Sequence, residues 1–203
     1  MLDTIKVAGV GSVRLRVTVR GPGGHPWSDR GTPSAVHGLV DAVSGALAEA
    51  HAADVVINVG TLHGGTAINA IANEAHAEID LRAEDDGVLR GVAERVQEVL
   101  RWAPDGLEVS LEAVGRRPGG RIADDDPLLL AARRARERAG LPPAAEGASS
   151  TDANAAYGLG IPAITVGVTT GGNAHRLDEY IDVAPVADGL AWLEGLVEEL
   201  ALG

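Results

Sequence analysis

Three segments of this chain alternate apolar and polar residues with a period of two, and little but the half-buried strands of a sheet satisfies that pattern. In the first, Val13, Leu15, Val17 and Val19 alternate with Arg14, Arg16, Thr18 and Arg20. In the second, Ala75, Ala77, Ile79 and Leu81 alternate with His76, Glu78, Asp80 and Arg82, and the third runs Leu107, Val109, Leu111, Ala113. Successive side chains of a strand point to opposite faces, so each segment offers one apolar face to a core. A shorter apolar run, Val55 to Val59, ends in the Gly-rich stretch 60–65. Between these segments, apolar residues recur every three and four positions at Val36, Leu39, Val40, Val43 and Leu47, and again at Val88, Val92, Val96 and Leu100, the spacing of amphipathic helices. Thr32 reads as the N-cap of the first, with Pro33 opening it. Strand, helix, strand, strand, helix, strand is the ferredoxin-like βαββαβ arrangement, two helices on one face of a four-stranded antiparallel sheet. It is placed at residues 11–116.

Beyond Arg116-Arg117-Pro118-Gly119-Gly120 the pattern changes. A helix is expected from Asp126-Pro127 to about Ala139, a short helix after Thr151, a buried strand from Ala163 to Val168 and a last helix from Val186 to Leu200. That is α/β grammar with too few strands for a complete sheet. Residues 1–10 and 117–203 are therefore expected to form a partial α/β domain. A chain of 203 residues can bury one sizeable core or two small ones, and with no Phe and 2% aromatics the core must be Val, Leu, Ile and Ala.

Composition excludes several classes of function. No cysteine means no disulfide, thiolate metal site or cysteine nucleophile. A net charge of −12 argues against nucleic acid, which is held by clustered cations. Arg133, Arg134, Arg136 and Arg138 read as a solvated helix face. No apolar run approaches the roughly 20 residues of a membrane span. Met1 to Lys6 lack an apolar leader, so a cytoplasmic setting is expected.

Candidate chemistry lies on the loops. His25, in Gly23-Gly24-His25-Pro26-Trp27, and Asn69, in Gly64-Gly65-Thr66-Ala67-Ile68-Asn69, are polar residues on Gly-rich loops at sheet ends, either turn formers or site residues. Arg82 ends a strand and Arg117 sits at the domain junction; each could grip a carboxylate or pair with a neighbouring acid. Ser149, Ser150, Thr151 and Asp152 read as hydroxyl and carboxylate caps of a helix, or as a backbone cradle for a substrate oxygen near Ser150 and Thr151. His175 lies in Gly171-Gly172-Asn173-Ala174-His175 on a loop after a strand, where α/β proteins bind ligands. One His cannot hold zinc, which takes three or four ligands.

In this order, Gly21-Pro22-Gly23-Gly24-His25, Gly64 to Asn69, Asp80-Leu81-Arg82, Arg117-Pro118-Gly119, Ser150 to Asn154 and Gly171 to His175 resemble the di-zinc amidohydrolase and exopeptidase family of acetylornithine deacetylase, succinyl-diaminopimelate desuccinylase, aminoacylase and tripeptide aminopeptidase. The resemblance covers the family's later part, from about Val10 to the C-terminus. It implies that the ferredoxin-like domain is a lid through which the chain forms a homodimer. It further implies that His25 stabilises the oxyanion in the partner's site and that Asn69 also crosses to the partner's substrate. Arg82, with Arg117 as a second candidate, and the Ser150–Thr151 backbone are implied to bind a substrate carboxylate. His175 is implied to be the last zinc ligand, supported by Glu179. The family's remaining ligands and its general base precede the lid, and this sequence opens about ten residues before it. The expectation is thus a zinc-dependent amide hydrolase, acting on small acylated amino acids or short peptides, whose two zinc ions need a separate N-terminal half. The isolated chain should bind no zinc tightly and be inactive. The alternative is a non-catalytic dimerising module derived from the same family.

Overall fold

The structure, a computed structural model, describes residues 2–53, 55–174 and 176–202. The chain divides into two compact units, one of residues 11–117 and one of residues 1–10 with 118–203. Strand β1 (Thr4–Gly9) belongs to the second. The first is built from β2 (Gly11–Arg20), α1 (Ala35–Ala52), β3 (Val56–Gly64), β4 (Glu74–Ala83), α2 (Asp86–Arg101) and β5 (Glu108–Arg117). Its sheet has the order β3-β4-β2-β5 with every neighbouring pair antiparallel, the ferredoxin-like βαββαβ fold.

The alternating segments explain this unit. Val13, Leu15, Val17 and Val19 of β2 and Ala75, Ala77, Ile79 and Leu81 of β4 are all buried against the two helices. Burying each large aliphatic side chain contributes roughly 1.5–3 kcal/mol. On the opposite face the same strands pair Arg14 with Asp80, Arg16 with Glu78 and Arg20 with Glu74, directly across the ladder. These are exposed pairs and fix register more than stability.

Three expectations are corrected in this unit. Helix α1 starts at Ala35 with Ser34 as its N-cap, two residues beyond Thr32–Pro33, because the Ala35 N–H bonds Ala72 O (2.9 Å) rather than a side-chain cap. Its buried face is made of Ala35, Gly38, Leu39, Ala42, Val43 and Ala46, while Val40 is exposed. A Cβ on Gly38 would come within 2.5 Å of the Leu107 side chain, so small residues set that contact. The run at 55–59 is the start of an edge strand reaching Gly64, with only Val55 fully buried.

The second unit adds β6 (Gly120–Arg121), α3 (Pro127–Arg138), β7 (Ala145–Ser149), α4 (Ala153–Gly158), β8 (Gly171–Gly172), β9 (Tyr180–Ile181) and α5 (Val186–Leu202). β1 is central, antiparallel to β6 and parallel to β7. Its Ile5 and Val7 pack with Leu129, Ala132, Trp192 and Leu196. The buried strand expected at 163–168 is instead a half-buried extended segment touching β1 through one bridge, Lys6 to Thr165. The Ala163 carbonyl is engaged by the Tyr157 hydroxyl (2.7 Å), which removes it from any ladder. Arg136 is not solvated: it is buried, bonds Leu2 O and Pro142 O, and stands 4.9 Å over the Trp192 ring. Burial lowers its pKa from the usual arginine value, partly opposed by the charge of Asp3.

Candidate functional site

Two loops meet at one end of the four-stranded sheet. The loop 21–34 leaves β2 where Arg20 faces Glu74, and the loop 65–73 enters β4 at that same residue. Backbone bonds join them: Gly21 N–H to Asn73 O (2.9 Å) and Ile71 N–H to Gly24 O (2.8 Å). Gly23 and Gly24 hold φ of 73° and 146°, angles that side-chain-bearing residues rarely adopt.

His25 sits on a tight turn. Its backbone N–H donates to Asp29 Oδ2 (2.7 Å), and its Nδ1 accepts from the Trp27 and Ser28 amides at 3.2 and 3.3 Å. Asn69 lies on the exposed crest of the second loop beside Ile68, and Trp27 is 73% exposed on the first. The fold therefore brings His25 and Asn69 to one tip.

Arg82 and Arg117 stand at the opposite end. Both are register partners of Ser12, one on each side of β2, so their backbones lie about 10 Å apart. Arg82 Nε bonds Asp80 Oδ2 (2.7 Å), and Asp80 also takes Arg14. From Ser12 to Arg20 the strand rises about 26 Å. One copy of the chain cannot gather His25, Asn69, Arg82 and Arg117 around a small substrate.

Ser150 and Thr151 belong to the second unit, before α4. Thr151 Oγ1 accepts from the Ala153 N–H (3.3 Å) and contacts Thr165 Oγ1 (2.8 Å), so Thr151 caps the helix, whereas Asp152 makes no capping bond. The Thr151 N–H is engaged by Asn154 Oδ1 (2.8 Å), which takes it away from any substrate oxygen. His175 lies outside the described residues. Around it, Gly171–Gly172 pairs with Tyr180–Ile181, Asn173 holds a left-handed φ of 58° and its side chain bonds Asp178 (2.9 Å). A cleft of about 290 Å³ at the base of this loop is lined by Thr169, Thr170, Gly172, Glu179 and Tyr180. Among the described residues no group of three or more His, Asp or Glu could hold a metal ion.

The residue that sequence reasoning passed over is Asn154. It is 1% exposed, and its amide nitrogen donates to Val10 O (3.0 Å) and Pro118 O (2.8 Å) while its oxygen takes the Thr151 N–H. The available signal was Thr151-x-x-Asn154, a capping-box spacing with Asn in the place of Glu or Gln.

Comparison with known proteins agrees with the fold. The family model described as a peptidase dimerisation domain matches residues 7–106. No curated protein matches the sequence. Among solved structures, the chain resembles aminopeptidase PepT from Bacillus cereus, with 22% identity and a TM-score of 0.79 over 98% of this chain and 54% of that one. A tripeptidase from Staphylococcus aureus gives 20% identity and a TM-score of 0.80 over 100% and 55%. An amidase of the hydantoinase/carbamoylase family from Burkholderia multivorans gives 22% and 0.69 over 96% and 50%. At these identities the likeness is one of fold, and the chain spans about half the length of the structures it matches. No described helix is long and apolar enough to cross a membrane. Residues 7–106, just under half of the chain, match the family model of a peptidase dimerisation domain and are of that domain type.

Proposed function

We propose that this chain is the lid and C-terminal portion of a cytoplasmic, metal-dependent amide hydrolase acting on small acylated amino acids or short peptides. In this reading two copies associate through the lid, and the second unit is part of a catalytic domain completed by a separate N-terminal half. The observation that carries the reading is the segregation of polar groups along β2. His25 and Asn69 share one tip, and the two arginines flank Ser12 about 26 Å away. A tip that carries two polar residues at the end of the sheet opposite Arg82 and Arg117 is suited to a site on another copy.

The described residues do not fit a di-zinc centre. What this chain itself offers is binding and orientation. The imidazole of His25 donates a hydrogen bond to a carbonyl oxygen as it gains charge, Asn69 supplies a second polar contact, and Arg82 or Arg117 grips a carboxylate. Two measurements test this. Sedimentation of the chain at roughly tens of micromolar should give a dimer; a monomer counts against the cross-subunit site. In the assembled hydrolase, His25→Ala should lower kcat by about 10²–10³-fold with little change in KM, as for loss of one oxyanion donor. Arg82→Ala should act mainly through KM.

A further inference from the structure

The turn carrying His25 fixes which ring nitrogen faces outward. Nδ1 accepts two hydrogen bonds, from the Trp27 N–H at 3.2 Å and the Ser28 N–H at 3.3 Å. Both donors are backbone amides, which cannot exchange roles, so Nδ1 contributes its lone pair and the proton of the neutral ring sits on Nε2. Among the described residues nothing pairs with Nε2. The backbone of the turn is closed by one residue: Asp29 Oδ2 accepts the His25 N–H at 2.7 Å, and the Asp29 N–H donates to His25 O at 2.9 Å. Gly24 is part of the device, because a Cβ there would lie 2.9 Å from Asp29 Oδ2.

We propose that Asp29 is a positioning residue that holds His25 as the Nε2–H tautomer with its donor facing out of the lid tip. The inference rests on the assignment of His25 as a donor to the developing oxyanion, and adds how that donor is prepared. The opposite tautomer would present a lone pair to an oxygen gaining negative charge and would repel it. With the tautomer and the turn set before substrate arrives, no reorientation is needed as the charge develops.

The test is read on the whole 203-residue chain without substrate. Two-bond proton–nitrogen correlation of the imidazoles, at alkaline pH and with His25→Gln to identify the His25 signals, should show a single Nε2–H pattern. Asp29→Asn, whose amide oxygen still accepts the His25 N–H, should keep it. Asp29→Ala should give an averaged pattern and speed amide exchange of Trp27 and Ser28 by about tenfold or more. An Nδ1–H or averaged pattern in the unaltered chain overturns the proposal, as does an Asp29→Ala spectrum identical to the parent. The two ideas fail separately. If His25→Ala leaves kcat of the assembled enzyme unchanged while the Nε2–H pattern holds, the oxyanion role falls and the tautomer lock stands.

Discussion

Asn154 satisfies three backbone groups from three separate stretches of chain at almost complete burial. Removing a buried partner leaves its neighbours desolvated and unpaired, at about 1–3 kcal/mol each. Asn154→Ala should therefore destabilise the second unit by about 3 kcal/mol or more in urea unfolding. Asn154→Asp should also destabilise it, since a carboxylate cannot donate to Val10 O or Pro118 O. Tyr157 packs in the same corner, where a Cβ on Gly9 or Gly120 would meet its ring within 3 Å. Burial raises the pKa of its phenol above the usual 10.0, with the charge of Arg121 opposing in part. A group raised in the folded state contributes stability below its unfolded pKa and loses it as pH rises through the folded one. Stability of this unit should thus fall as the pH rises past about 10, and Tyr157→Phe should flatten that fall.

At the scale of elements, β3 is the strand most open to a partner. It is an edge strand and exposes Val56 and Leu62, at 64% and 46%. Unpaired strand edges template further pairing. Replacing Val56 and Leu62 by Lys should convert the expected dimer to monomer in sedimentation while leaving the circular dichroism unchanged. The same elements show what could be read in advance. β2 and β4 were legible because each buries one clean face, so side-chain alternation reports the ladder. The contact face of α1 departs from the expected one at Val40, which is exposed, while Ala35, Gly38, Ala42 and Ala46 are buried beside Leu39 and Val43 and carry too little apolar bulk to mark a face in the sequence. β7, with the sequence Ala-Glu-Gly-Ala-Ser, has no apolar pattern at all and is held by backbone pairing to β1. His25 and Asn69 were legible singly as polar residues on Gly-rich loops. That their loops share an end follows from the Gly24–Ile71 bridge, which no spacing along the chain reveals.

For the whole molecule, both units leave large apolar residues exposed: Trp27, Val56, Ile68 and Trp102 in the first, and Leu159, Ile161, Leu177, Val183 and Val197 in the second, each at 52% or more. The second unit has a distinct reporter: Trp192 is 1% exposed there, whereas Trp27 and Trp102 of the first unit are 73% and 62% exposed. In urea, the fluorescence shift should follow the second unit and precede the main loss of circular dichroism. A fragment of residues 11–117 should retain that later transition. Coincident transitions would show instead that the units unfold as one. The unbroken pairing of β2 with β4 from Gly11 to Arg20 also sets an arithmetic on the length of the strand. Two residues added to β2 and its partners lengthen the reach of the tip by about 6.6 Å and keep every side chain on its face, whereas one added residue turns the tip over. Length changes tolerated in this strand should come in even steps.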